Sequence, residues 1–565
     1  MQRIAKYAVV IALFMSCNAC AQYNTLWIPD TLSGTDFNLN IKDTFRQMLP
    51  GQQTITGGIN GNVWGPTLIF KRGDTVHMHV TNKLADTTTI HWHGFHLPAV
   101  MDGGPHQTIP PGVTWNPYWK VTNNAAMYWY HPHMHTMTEE QINMGLGGLI
   151  IVRDNVEAAL ALPRTYGVDD IPLILTDRRF DNTNQFVLSH YGDTMTTNFT
   201  IHAQYSVPAQ MVRFRLLNVS TERFYNVGFS DNRTFHVTGS DGGLLDTPVG
   251  VTRYIMGPGE RIEIVADFSG ENGQSYDIMA YNSAFNNAIP GGEPVNFPVA
   301  DFQNALGQRD FMILHLNVGP QTANPVTSLP ATLTTNSFWG PANATMNRSL
   351  SFNVVNGPPY PPGASLIDNT PFVMNTINKN VDLGATEIWT LNNTTNVAHP
   401  FHIHDVEFHI IDRNGSPAPA YEQGWKDILW VPSGGTAKFI AKFEDYCDSL
   451  YPYMYHCHIA FHEDAGMMGQ FTVGCASTGI SEVAGKEVGL NVHPNPAEAT
   501  IYVKLKDNSK IYELDIIDMR GKTLLKYPMP QANKGIDISA LANGIYLLHV
   551  QDMQGNVSIE KFVKQ

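Results

Sequence analysis

Cys457 has a histidine on each side, His456 and His458, with His462 and then Met467 completing the stretch. Thiolate and thioether sulfur are soft donors and imidazole is borderline, so this set has the composition of a blue-copper electron-transfer site. On an extended strand successive side chains point to opposite faces, which sends Cys457 one way and both flanking imidazoles the other. One strand can then serve two centres: a single electron-accepting copper at Cys457, His462 and Met467, and a separate centre on His456 and His458. The plain alternative is a buried free cysteine among histidines that serve only the core.

Three further stretches favour the metal reading: His91-Trp92-His93-Gly94, Trp129-Tyr130-His131-Pro132-His133 and His399-Pro400-Phe401-His402-Ile403-His404. Each holds a His-x-His pair, whose period of two puts both rings on one face of a strand or extended loop. Taken with the Cys457 stretch, these four motifs, in this order and with these internal spacings, resemble the multicopper oxidases. The likeness runs over roughly residues 25–475 and is nearest the bacterial three-domain group that includes laccase-like enzymes and cuprous oxidases. Carried onto this chain, it implies four copper ions. His399, Cys457 and His462, with Met467 axial, would hold the type 1 copper; His91 and His402 the type 2 copper; His93, His131, His133, His404, His456 and His458 the type 3 pair. No ligand position is substituted.

The same resemblance gives two carboxylates a task. Asp102, before Gly103-Gly104, is by local sequence a turn residue; the family places an acid here beside the three-copper cluster, where it assists proton delivery. Glu463 corresponds to an acid on a second proton route, its alternative being a solvated turn carboxylate. His96, His106 and His135 match no ligand position and are expected at the surface or in support of the ligands. Met134, Met137 and Met144 form either a soft-metal patch or ordinary gap-filling. The stretch Gly424-Trp425-Lys426-Asp427 is also family-like, whereas the long Met-rich insertion of dedicated cuprous oxidases is missing.

The implied chemistry is oxidation of a small reducing substrate, a phenol or a reduced metal ion, beside the edge of His462. Electrons would pass through Cys457 to His456 or His458, and four of them would reduce O2 to two waters. A copper storage or resistance protein without significant turnover is the competing class, but it has no use for an alternating His-Cys-His strand. A two-domain copper nitrite reductase would lack a middle unit.

The elements that must position these residues are short alternating strands broken by Gly, Pro and Asn, such as Val76 to Val80, Val212 to Leu216 and Ile262 to Val265. A weak repeat recurs three times. Gly73-Asp74-Thr75-Val76, Met211-Val212-Arg213-Phe214 and Thr386-Glu387-Ile388-Trp389 each run on to an Asn. Pro111-Gly112-Val113-Thr114, Pro258-Gly259-Glu260-Arg261 and Ser433-Gly434-Gly435-Thr436 each open a later strand. The fold class is therefore all-β, with three cupredoxin-like Greek-key sandwiches at residues 22–155, 156–320 and 321–475. The middle one carries no ligand motif, so the cluster belongs between the first and third with the second as spacer.

With 565 residues the chain is too long for one core, and a net charge of -15 gives no sign of nucleic acid or an anionic membrane as partner. Residues 1–21 read as a signal peptide: Arg3 and Lys6, an apolar run too short to span a bilayer, then small residues up to Ala21. Lipidation at Cys17 or Cys20 is the alternative. Beyond it, Cys447 and Cys475 either bond across the ligand strand or stay independent thiols. A polar linker at residues 476–487 leads to a small β unit at 488–565, which resembles the C-terminal sorting domain of type IX secretion substrates. That likeness implies secretion through the periplasm to the medium or the outer cell surface, with the secretion machinery as partner. A monomer is expected.

Overall fold

The computed structural model describes residues 23–299, 302–355, 364–475, 490–505, 511–518, 522–528, 535–552 and 557–565. The expected signal peptide and linker fall outside them. The chain is all-β and divides into two compact units, residues 1–475 and 476–565.

Within the larger unit the strands pair into three successive two-sheet sandwiches. Alternation drives the first: in Thr75–Asn82, Val76, Met78 and Val80 face the core while Thr75 and His77 face solvent. Its site-bearing sheet has the order Thr31–Ser33, Thr67–Lys71, Gly148–Arg153, Met127–His131, His91–His93. The third sandwich has a matching sheet, in the order Lys379–Asp382, Met468–Gly474, Asp448–Cys457, His399–Ile403, Ile428–Val431.

The middle sandwich is packed differently. In Met211–Asn218 the arginines between the apolar positions do not reach water: Arg213 and Arg215 are fully buried. Arg215 pairs with Asp170 at 2.6 Å and with Glu263, its neighbour in strand register. Covering the strand on both faces forces its charges into pairs, because an unpaired buried charge is too costly. Two segments cross the expected boundaries. Asn24–Thr25 pairs with Ala203–Pro208 in the middle sandwich, and Leu333 bonds to Asp246 there, so the third sandwich takes its first strand from Met346–Val355.

Cys447 and Cys475 are disulfide-bonded, closing 28 residues around the ligand strand. The smaller unit has its own core of Ile501, Leu514, Ile516, Leu548, Val550 and Phe562 between a three-stranded and a four-stranded sheet. No helix among the described residues is long and apolar enough to cross a membrane.

Candidate metal centre

Six strands and a short helix carry the site: β1 (His91–His93), β2 (Met127–His131), β3 (Arg261–Asp267), β4 (His399–Ile403), β5 (Ile428–Val431), β6 (Asp448–Cys457) and α1 (Ala460–Asp464). Antiparallel pairing of β1 with β2 sets His91 opposite His131, and pairing of β4 with β6 sets His402 opposite His456. Register alone thus assembles two half-clusters on facing sheets.

At the end of β6 the two faces separate. Cys457 Sγ lies 3.5 Å from His399 Nδ1 and 3.6 Å from His462 Nδ1. Met467 is fully buried in the same apolar cluster, and its carbonyl accepts the Cys457 N–H at 3.1 Å. The other ring nitrogen of His399 is fixed by the Thr395 hydroxyl at 2.8 Å. Of this group only His462 keeps partial exposure. Beside it a surface cavity is lined by Phe461, His190, Leu188 and Glu139. Phe302 stacks on His190 at 4.8 Å.

On the other face, eight fully buried imidazoles gather between the first and third sandwiches. His456 Nε2 lies 3.2 Å from His133 Nε2 and 3.4 Å from His404 Nε2. His93, His131 and His458 form a second triplet, with ring centroids 5.0 to 5.5 Å apart. His91 and His402 stack on neighbouring members, His404 and His93, at 3.8 Å each. Ligating atoms of His133, His404 and His456 lie within 4.8 Å of one another, as do those of His91, His402 and His404 and those of His91, His93 and His131.

The donor chemistry fits copper. Burial lowers the imidazoles first and foremost, holding His93, His131, His399, His402 and His404 well below the usual histidine range. It takes His133 and His458 down to about 3. These rings are neutral and ready to ligate. The Nε2 atoms of His91, His402 and His458 are buried with no hydrogen-bond partner, a state that an ion would satisfy. Burial pushes the Cys457 thiol up, so metal binding there must release a proton.

The outward nitrogens are held as metal-binding histidines require. His91 Nδ1 faces the Asp102 carbonyl at 3.0 Å, His402 Nδ1 that of Asp427 at 2.8 Å, and His131 Nδ1 that of Pro132 at 2.8 Å. Asp102, far from being an exposed turn residue, is 1% exposed, with Oδ2 2.7 Å from His404 Nδ1 and Oδ1 3.3 Å from His91 Nδ1. Glu463 is also buried, lying 3.3 Å from His133 Nδ1 and 3.1 Å from His456 Nδ1. Burial opposes its ionisation, but electrostatic attraction to His133 and His456, with a hydrogen bond from His456, outweighs it and holds the carboxyl well below the usual carboxylate range.

His96, His106 and His135 stay outside the cluster. His96 pairs with Asp405 at 2.8 Å and with Asp445; burial disfavours its charge, yet the two carboxylates raise it to about 11. His106 binds Gln470 at 2.7 Å and His135 packs on Phe372. Met134, Met137 and Met144 are half-buried around the helix Thr138–Asn143. Sequence reasoning missed Asp427 and Arg261 as neighbours of the cluster. The family-like stretch ending in Asp427 and the repeated Pro-Gly element ending in Arg261 were the available signals.

A thiol site one residue away from a nest of buried imidazoles, in stacked β-sandwiches, has the donor set of a copper-binding redox protein. Residues 40–157 and 341–477 match family models for multicopper oxidases, and residues 491–565 match the model for a secretion system C-terminal sorting domain. The chain is 30% identical over 435 residues to multicopper oxidase mco of Staphylococcus haemolyticus, covering 74% of this chain and 84% of that protein. It is 31% identical over 428 residues to cell division protein FtsP of Xenorhabdus nematophila, covering 74% and 85%. Among solved structures, a bacterial laccase-like multicopper oxidase CueO from Ochrobactrum sp. superposes with a TM-score of 0.70 at 31% identity, over 79% of this chain and all of that one. The chain belongs to the multicopper oxidase family.

Proposed function

We propose that this protein is a secreted, laccase-like multicopper oxidase that couples four one-electron oxidations of a small phenol or reduced metal ion to reduction of O2 to two waters. In this reading His399, Cys457, His462 and Met467 hold a type 1 copper, His91 and His402 a type 2 copper, and the two triplets a type 3 pair. Copper supplies one-electron acceptance at the first site and O2 reduction at the cluster.

The chain's own residues do the rest. The exposed side of His462 receives the donor at the Phe461 cavity. The backbone at the end of β6 joins Cys457 directly to His456 and His458, so the two faces are separated by only a few covalent bonds. Asp102 Oδ2 and Glu463 Oε2 orient His404 and His456 through their Nδ1 atoms, and the two acids can hand protons inward from Oδ1 and Oε1, which are buried without a hydrogen-bond partner near His91 and His133.

The observation that carries the reading is the split at the end of β6, with Cys457 among His399 and His462 and its neighbours among eight imidazoles. Copper storage would need no such division. Because relatives named as cell division proteins share this fold, turnover must be measured. Oxygen uptake is followed with phenols, bilirubin, Cu(I), Fe(II) and Mn(II) alongside copper analysis. Four coppers with substrate-dependent uptake are expected, and a copper-loaded protein inert toward all five donor types would favour storage. The sorting-domain match supports export to the medium or the outer surface by the secretion machinery.

A further inference from the structure

The middle sandwich offers no ligand, yet one of its charges reaches the cluster. Arg261, the first residue of β3, is fully buried and donates from Nη1 and Nη2 to the two carboxylate oxygens of Asp427 at 2.5 and 2.6 Å. Asp427 precedes β5 of the third sandwich. Its Oδ1 lies 3.3 Å from His93 Nε2, and its carbonyl accepts from His402 Nδ1. Asp241, also from the middle sandwich, accepts from the Arg261 N–H at 2.8 Å and from the Asp427 N–H at 3.3 Å. Two sandwiches thus grip one carboxylate.

His93 is reversed relative to its neighbours. In His91, His131, His133, His402, His404 and His456, Nδ1 points outward to a carbonyl or carboxylate oxygen. In His93 it is Nε2 that points outward, to Asp427, while Nδ1 lies 3.3 Å from His131 Nε2 inside the cluster. A carboxylate can only accept, so it selects the ring form with its proton on Nε2 and leaves the lone pair on Nδ1. Gly94 makes room for this grip: its φ is +84°, and a Cβ there would sit 2.4 Å from Asp427 Oδ2.

We propose that Arg261 and Asp427 form a positioning latch, by which the ligand-free middle sandwich sets the tautomer and orientation of His93 and steadies His402. Arg261 orients the carboxylate bidentately, a geometry that a lysine's single ammonium cannot reproduce. The latch rests on the copper reading of the cluster, and wild-type protein lacking copper would defeat that reading, not this one.

The test uses the copper-loaded full-length chain with Asp427→Asn and Arg261→Lys. Arg215→Lys serves as reference, since Arg215 is an equally buried arginine of the middle sandwich that pairs with Asp170 and Glu263. Copper content, the blue band, the type 2 electron paramagnetic resonance signal and the near-ultraviolet absorption of the coupled pair are read together. Both latch variants should keep the blue band while cluster copper affinity falls about 10- to 100-fold, with altered type 2 and pair signals. Arg215→Lys should lower thermal stability and leave those signals unchanged. A full copper complement with wild-type type 2 and pair signals in Asp427→Asn overturns the latch. Should that variant also lose its blue band, Gly94→Ala decides, because it crowds Asp427 with one methyl and leaves every charge in place; wild-type signals there overturn the latch equally.

Discussion

At the scale of single residues, Cys457 and His458 are adjacent in sequence and serve opposite faces. Cys457→Ser removes the thiolate responsible for the visible band and leaves His456 and His458 in their triplets. It should give a colourless protein with about three coppers instead of four, an intact pair absorption and no substrate oxidation. His458→Ala should keep the blue band and its bleaching by substrate while ending steady oxygen consumption; bleaching of the resting His458→Ala protein would contradict the division of faces. Asp102→Asn and Glu463→Gln keep the shape of each contact but remove a proton carrier. Oxygen turnover should fall about 100-fold or more with the blue band retained, and unchanged turnover would reduce both acids to structural props. Acid should also act on the metal-free protein. With His133 and His458 taken down to about 3, the unfolded chain binds more protons below its own histidine pKa of about 6.5. Stability of the metal-free form should therefore fall as pH drops from about 6.5 toward 3, and tryptophan fluorescence against pH would show an onset lower in pH for the copper-loaded form.

At the scale of elements, the loop closed by Cys447 and Cys475 encloses β6, so the ligand strand is tied at its start and just beyond its return strand. Replacing both cysteines by serine should cost about 3 to 4 kcal/mol in the chain-entropy model for a loop of 28 residues. Denaturant unfolding of the blue band would measure it, and a loss below about 1 kcal/mol would mean the bridge acts on something other than the unfolded chain. The turn after Asp102 is the other constrained element. Gly103 has a φ of +80°, and a Cβ would sit 1.7 Å from the Ile90 carbonyl, beside β1. Gly103→Ala should move Asp102 off His91 and His404 and lower type 2 copper content, because the added methyl presses on the Ile90 and His91 backbone. Metal analysis showing a full complement would count against that dependence.

At the scale of the whole molecule, the smaller unit owns its core, and the larger one holds the histidines and Cys457 of the proposed copper site. Deleting residues 476–565 should leave a blue, active oxidase retained in the periplasm, as fractionation with activity staining would reveal; loss of colour would make the small unit part of the oxidase fold. The donor residue types, the two faces of β6 and the threefold strand repeat were legible along the chain, because strand periodicity and donor chemistry are local properties. Other features depended on contacts between residues far apart in sequence. The pairing of Cys447 with Cys475 needed Cα atoms 4.8 Å apart, a distance no spacing reveals. Arg213 and Arg215 look solvent-facing in an alternating strand and are buried because their sheet is covered on both sides. The gathering of eight histidines from four separate stretches, and the approach of Arg261 to Asp427 across 166 residues, arise only when three sandwiches close on one another. Local sequence decided which atoms could bind copper; tertiary packing decided which of them meet, because burial and charge pairing are set by the neighbours that folding brings.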